Sequence, residues 1–203
     1  MLQYPSSAGP DAGNRVKAVL FDCFGVVYND AVLDFLDSHK IDYCSPDAPY
    51  RELAHKSDTG DVSLDAFFNE LSRLTLQEPR LVRPELLDVS RLNQELVKYI
   101  KQLKRHYRIG MLSDAPKGFL DPFLVNQGLR KLFDVVVVSS EVGYTKPSPE
   151  IFSIVANRFG VAFPEIAFID NSANNVRAAL ELGMVGIIYQ NNQQIMHDLQ
   201  QML

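Results

Sequence analysis

Cysteine is nearly absent from this chain of 203 residues: Cys23 and Cys44 are the whole complement. So small a number excludes a disulfide-stapled scaffold and fits a reducing compartment. Histidine is almost as scarce, and His39, His55, His106 and His197 lie too far apart for metal-ligand spacing, which leaves them to surface or insertion positions. No stretch approaches the roughly 18 uninterrupted apolar residues that a membrane span requires. Positive charge is neither abundant nor clustered: 20 Lys plus Arg stand against 25 Asp plus Glu, for a formal charge of -5. That balance argues against nucleic acid or an anionic membrane as the partner, and in favour of a small solute. Internal repeats and low-complexity tracts are missing too. The opening residues 1–15, "MLQYPSSAGPDAGNR", have neither the basic start nor the apolar run of a signal peptide and read as a disordered leader. The expected location is cytoplasmic.

What the chain does have is apolar content, 46% of its residues, enough for one α/β core with a smaller insertion. Five short runs stand out: "VKAVLFD" (16–22), "RIGMLSD" (108–114), "VVVVSS" (135–140), "EIAFID" (165–170) and "VGIIYQ" (185–190). Runs this short, rich in Val and Ile and apolar on both parities, suit parallel strands buried on both faces. Helical patterns alternate with the later runs. "NQELVKYIKQLKRH" puts Leu96, Ile100 and Leu103 on one face; the helix after Ser148-Pro149 closes at Gly160, and the one after Ser172 closes at Gly183. Such alternation predicts a doubly wound, Rossmann-like parallel sheet of five strands. Some 80 residues separate the first two runs, far more than a crossover needs, and their patterns (30–40, 49–58 and 63–76) are helical. The expected organisation is therefore an α/β core over 16–30 and 93–203, with a small α-helical cap domain inserted over 31–92 and seated above the carboxyl ends of the strands. The C-terminal "NNQQIMHDLQQML" reads as a helix with Ile195, Leu199 and Leu203 on one face.

In an open parallel sheet, ligands bind beyond the carboxyl ends of the strands. Four of the five runs deliver a polar group there: Asp22, Ser113-Asp114, Lys146 by way of "SSEVGYTKPSPE", and Asp170-Asn171. A lone strand-end Asp usually just begins a turn. The set is harder to dismiss.

These four pieces, "VLFDCFGVV", "MLSD", "GYTKPSPEIF" and "FIDNSANNVRAALELGM", come in an order that resembles the haloacid dehalogenase-like (HAD) hydrolases, in the branch whose helical cap follows the first strand. The resemblance implies a hydrolase with Asp22 as nucleophile toward a phosphoryl group. It implies Ser113 and Lys146 as further catalytic residues, and Ser113, Asp114, Lys146, Phe24 and Gly25 around a small phosphorylated metabolite. Lys146 would offset charge in the transition state. The resemblance also implies Mg2+, held by Asp22, the backbone carbonyl of Phe24, Asp170 and Asn171, with Asn175 as an additional candidate. For Asn174 and Asn175, ordinary polarity in the first turn of a helix is an equal explanation. The sequence sets no oligomeric state.

One position departs from the family pattern. Its phosphatases usually carry an aspartate two residues after the nucleophile to protonate the leaving oxygen, and this chain has Phe24 there. Loss of a general acid typically costs roughly 10²–10⁴ in rate. Three readings stay open. The first is a Mg2+-dependent phosphatase that uses a good leaving group or a substitute acid such as Asp114 or a cap residue. The second is a metal-independent 2-haloacid dehalogenase, which Phe24 favours and "FIDNSANN" and Ser113-Asp114 disfavour. The third is a catalytically degenerate binding protein. Arg51 could meet a substrate carboxylate, although a solvated helix position explains it better. Cys23, next to Asp22 on the strand, should point into packing instead of the site.

Overall fold

The computed structural model describes residues 16–29, 31–86 and 91–203. The leader expected over 1–15 lies outside the described residues. Five strands form one parallel sheet: β1 (Ala18–Phe21), β2 (Arg108–Ser113), β3 (Val135–Val138), β4 (Ile166–Asp170) and β5 (Val185–Ile188), in the order β3-β2-β1-β4-β5. Parity explains their composition. Along β1, Val19 and Phe21 join one buried cluster, with Ile109, Met111, Ala167 and Ile169, while Ala18 and Leu20 join another with Leu112, Val137, Ile166 and Phe168. Both faces are covered, so no position on the central strands is left for a polar side chain until the strand ends.

Among the described residues, four α-helices lie between β1 and β2 ahead of the last crossover helix: α1 (Ala31–Ser38), α2 (Pro49–Thr59), α3 (Leu64–Thr75) and α4 (Pro79–Leu86). They form the helical insertion. In α3, Ser63 accepts the Ala66 N–H as N-cap, and Phe67, Phe68 and Leu71 are buried, as the apolar stripe requires. The sequence pattern did not announce α4, because Pro84 sits inside it. Helix α5 (Gln94–Leu103) then buries Leu96, Val97, Ile100 and Leu103 on the core.

Beyond β2 come α6 (Leu120–Asn126), the short α7 (Ser139–Val142), α8 (Pro149–Phe159), α9 (Ala173–Glu181) and α10 (Asn192–Met202). Three details differ from the sequence pattern. The run "VVVVSS" ends its strand at Val138, and its serines turn into α7, where their hydroxyls bond to the neighbouring β2 loop. Ser148 stands at the N-cap of α8 without a capping bond, since its hydroxyl donates to Glu150 Oε2 at 2.6 Å. Helix α6 was not anticipated. The C-terminal α10 docks on the core beside α5, with Ile195 and Leu199 fully buried. Cys23 is buried as expected and Cys44 is exposed. Among the described residues, no helix is long and apolar enough to cross a membrane.

Candidate active site

The order β3-β2-β1-β4-β5 reverses between β1 and β4, and a crevice for ligands opens beyond the carboxyl ends of those two strands. Asp22 follows β1 directly, its N–H donating to the Ile169 carbonyl at 2.9 Å, and Asp170 is the last residue of β4. The two carboxylates thus stand side by side where the sheet opens. Lys146, from the loop between α7 and α8, fills the space between them. Its Nζ donates to Asp22 Oδ1 at 2.6 Å and to Asp170 Oδ2 at 2.9 Å. All three side chains are more than nine-tenths buried.

The supporting bonds fix each group. Asp170 Oδ1 accepts the Ser172 N–H at 2.7 Å, and its Oδ2 accepts from Asn175 Nδ2 at 3.1 Å, so Asn175 orients this carboxylate from the first turn of α9. Asn174 is turned away and accepts from Arg177. Ser113, at the end of β2, is fully buried, with its hydroxyl donating to the Asp114 carbonyl at 3.4 Å. Asp114 Oδ1 accepts the Lys146 backbone N–H at 3.1 Å. Asn171 is exposed, and its side-chain amide lies so close under Gly25 that any Cβ there would collide with it. Gly25 also sits at φ +82°, so glycine is demanded twice. Its N–H donates to the Tyr28 carbonyl at 2.7 Å.

Burial, helped by the nearby Asp170, raises the Asp22 carboxyl above the ordinary carboxylate range against the opposing pull of Lys146. For Lys146 burial works against the charged form, yet the carboxylates of Asp22, Asp170 and Asp114 outweigh it and hold the ammonium well above the ordinary lysine range. Asp114 is raised chiefly by burial, with Lys146 opposing. The imbalance is plain: one ammonium faces three carboxylates in a low-dielectric crevice, an arrangement that favours a further cation. Carboxylate, carbonyl and amide oxygens are the donors that a hard ion such as Mg2+ prefers. Among the described residues no three His, Cys, Asp or Glu side chains by themselves form a metal cluster. An ion beside Asp22 and Asp170 would need further oxygen donors, for which the Phe24 carbonyl, Asn171 and water are the candidates.

Above this floor lies a cavity of about 170 Å3 between insertion and core. Phe24 and Phe119 line it from the core and Tyr50, Phe67 and Phe68 from the insertion. The Phe24 ring meets Tyr28 edge-on at 6.1 Å and Phe119 at 5.9 Å between centroids. Among the described residues two carboxylates, Asp58 and Asp114, reach the wall, and no Arg, Lys or His does. Arg51 is exposed, borders a separate surface hollow and donates to the Cys44 carbonyl. Sequence reasoning missed Asp58. A signal existed: an acid in the last turn of a helix opposes the helix dipole and needs another reason to be there.

A parallel sheet with this strand order, a helical insertion after β1, and a lysine joining two strand-end aspartates define a buried charged site at the switch point of a doubly wound α/β fold. The family model for haloacid dehalogenase-like hydrolases matches residues 16–183, and the chain belongs to that family. A phosphoglycolate phosphatase from Escherichia coli (strain K12) is 33% identical over 86 residues, which cover 41% of this chain and 34% of the relative. The same identity and coverage hold for the phosphoglycolate phosphatase of Salmonella typhi. The chain thus aligns with about a third of the length of these relatives. Among solved structures, a HAD family enzyme from Bacteroides thetaiotaomicron in a magnesium complex superposes with TM-score 0.72 at 20% identity, covering 91% of this chain and 98% of that one. A HAD-like hydrolase from Porphyromonas gingivalis gives 0.68 at 23%, covering 92% and 97%. A dehalogenase gives 0.64 at 16%, covering 85% and 84%. These three similarities concern the fold.

Proposed function

We propose that the protein is a Mg2+-dependent phosphatase acting on a small phosphorylated metabolite, with residues 31–92 serving as a cap domain over the site. The observation that carries this reading is the position of Lys146 Nζ between Asp22 and Asp170. A fixed ammonium there offsets the negative charge that gathers when a carboxylate attacks a phosphoryl group. Asp22 Oδ attacks phosphorus, the P–O bond to the leaving alcohol breaks, and water then displaces the Asp22 carboxylate to release phosphate. Ser113 and the amides beside it bind phosphoryl oxygens, and Asp170, oriented by Asn175, keeps the floor anionic. Asp22, the Phe24 carbonyl, Asp170 and Asn171 would hold Mg2+, which supplies Lewis-acid stabilisation of the phosphoryl oxygens. The phosphatase names of the Escherichia coli and Salmonella relatives and the magnesium complex of the Bacteroides enzyme support the same reading.

A second reading, 2-haloacid dehalogenation, draws on Phe24, since halide leaves without a proton. A haloacid carries a carboxylate, however, and among the described residues the cavity wall presents Asp58 and Asp114 but no cation. The same wall argues against glycolate as the leaving group. The test is a screen of phosphorylated metabolites and 2-haloacids with and without Mg2+. Phosphate release that needs Mg2+ is expected; halide release without metal overturns the reading, and silence in both assays favours a binding protein.

A further inference from the structure

Phe24 removes the side chain that would protonate a leaving oxygen, and the question is whether another group stands within reach of the same space. Asp58, in the last turn of α2, lines the cavity together with the Phe24 ring. Its position is set by the core as much as by its own helix. Gly60 caps α2 at φ +88°, with its N–H turned back to the carbonyls of Ser57 and Lys56, and a Cβ on Gly60 would lie 2.8 Å from the Ser140 carbonyl oxygen. Ser140 Oγ in turn donates to the Ala115 carbonyl at 2.6 Å, and Ser139 Oγ accepts the Ala115 N–H at 3.1 Å. The end of α2 thus packs closely on α7, and the Asp114-Ala115 loop is hydrogen-bonded to the same short helix. This shared support sets Asp58 against the floor of the site.

Two carboxylates reach the cavity, and they are not equivalent. Asp114 is engaged by the Lys146 backbone N–H, which stabilises its charged form. No hydrogen bond from a described residue engages the Asp58 carboxyl, and the negative end of the α2 dipole opposes its ionisation. We propose that Asp58 is the general acid and base of this site, delivered by the insertion in place of the aspartate that Phe24 supplants. The role rests on the phosphatase reading. In the first step the Asp58 carboxyl O–H gives its proton to the leaving oxygen as the P–O bond breaks and the Asp22 O–P bond forms. In the second, the Asp58 carboxylate takes a proton from the attacking water as the water oxygen bonds to phosphorus and the Asp22–P bond breaks. Asp58 ends protonated, as it began. The leaving alcohol lies among the rings of Tyr50, Phe67, Phe68 and Phe119, which suits an apolar or aromatic group.

Burial raises the Asp58 carboxyl to about 7, with Asp114 adding to the rise and Lys146 opposing it. The other charged groups near α2 leave it alone. On α3, Asp65 and Arg73 are exposed and Glu70 pairs with Arg73; on α7, Glu141 is exposed. A pKa near working pH is what a residue that both gives and takes a proton requires.

The test compares 4-nitrophenyl phosphate, whose phenolate leaves unaided, with benzyl phosphate, whose alkoxide does not, on the full chain with Mg2+. Asp58→Asn should lower kcat on benzyl phosphate by about a hundredfold or more and on 4-nitrophenyl phosphate by less than about tenfold. It should also abolish the fall in rate above about pH 7 in the benzyl phosphate profile, which a general acid gives and an ionised nucleophile does not. Phe24→Asp added to Asp58→Asn should restore at least about tenfold on benzyl phosphate, and a structural role for Asp58 would not be rescued in this way. An equal fall on both substrates, or no fall on benzyl phosphate, overturns the role while leaving the phosphatase reading in place. Wild-type protein that releases phosphate from neither compound overturns that reading, and the role with it.

Discussion

Lys146 Nζ lies 2.6 Å from Asp22 Oδ1, and this contact joins residues 124 apart in sequence across a site that excludes most water. The same ammonium serves Asp170. Removing one partner of a buried ion pair leaves uncompensated charge and typically costs about 3–5 kcal/mol. Lys146→Met should lose stability of that order in urea unfolding, and adding Asp22→Asn to it should recover part of the loss. A Lys146→Met variant as stable as wild type would mean that the three groups are not buried together.

Asp22→Asn should abolish turnover while leaving the far-UV circular dichroism spectrum intact, because the amide is a far poorer nucleophile than the carboxylate. The measurement is phosphate release with Mg2+ at substrate saturation. Turnover at the wild-type rate would remove Asp22 from the mechanism.

For Asp58 the stability dependence has a definite sign. Its carboxyl is raised in the folded state from 3.8 to about 7, so its contribution is fully present below about pH 4 and is lost as pH rises through 7. Asn has no such dependence. Asp58→Asn should therefore raise Tm relative to wild type at pH 8 by more than it does at pH 5, in metal-free buffer. Equal shifts at the two pH values would place Asp58 in water.

Gly60→Ala should destabilise by about 1–3 kcal/mol, since φ +88° strains any other residue and the new Cβ meets the Ser140 carbonyl at 2.8 Å. It should also raise KM, by displacing the end of α2 from the core. Chemical unfolding and steady-state kinetics on the same sample check both effects.

The sheet was legible in the sequence because its strands are buried on both faces, so their apolar runs are unbroken until the strand ends. For the same reason Asp22, Ser113 and Asp170 could be picked out: each interrupts a run where a buried strand stops. Lys146 stood out less, since seven residues lie between it and the end of β3 and it breaks no apolar run. For Asp58 the sequence held only the hint of an acid in the last turn of a helix, because its place at the site depends on how α2 docks on α7, a tertiary contact. The Ser139 and Ser140 hydroxyls were hidden likewise, inside a run that looked like strand. Pro84 masked α4 by breaking the helical signal where tertiary packing of Val82 and Leu86 maintains the helix.

Both ends of the insertion are stitched together at one point. Asn29 N–H donates to the Arg91 carbonyl at 2.9 Å, Asn93 N–H donates to the Val27 carbonyl at 3.0 Å, and Tyr28 bridges both Phe24 and Leu92. The chain thus leaves the core and returns to it through a single doorway a few ångströms wide. An insertion held in this way can be shortened, lengthened or exchanged for another without disturbing the register of any strand, because the sheet meets only the doorway. The proton donor proposed here would travel with the exchanged piece and the nucleophile would stay behind, so a change of insertion could alter the leaving groups accepted while the phosphoryl-binding floor remained as it is.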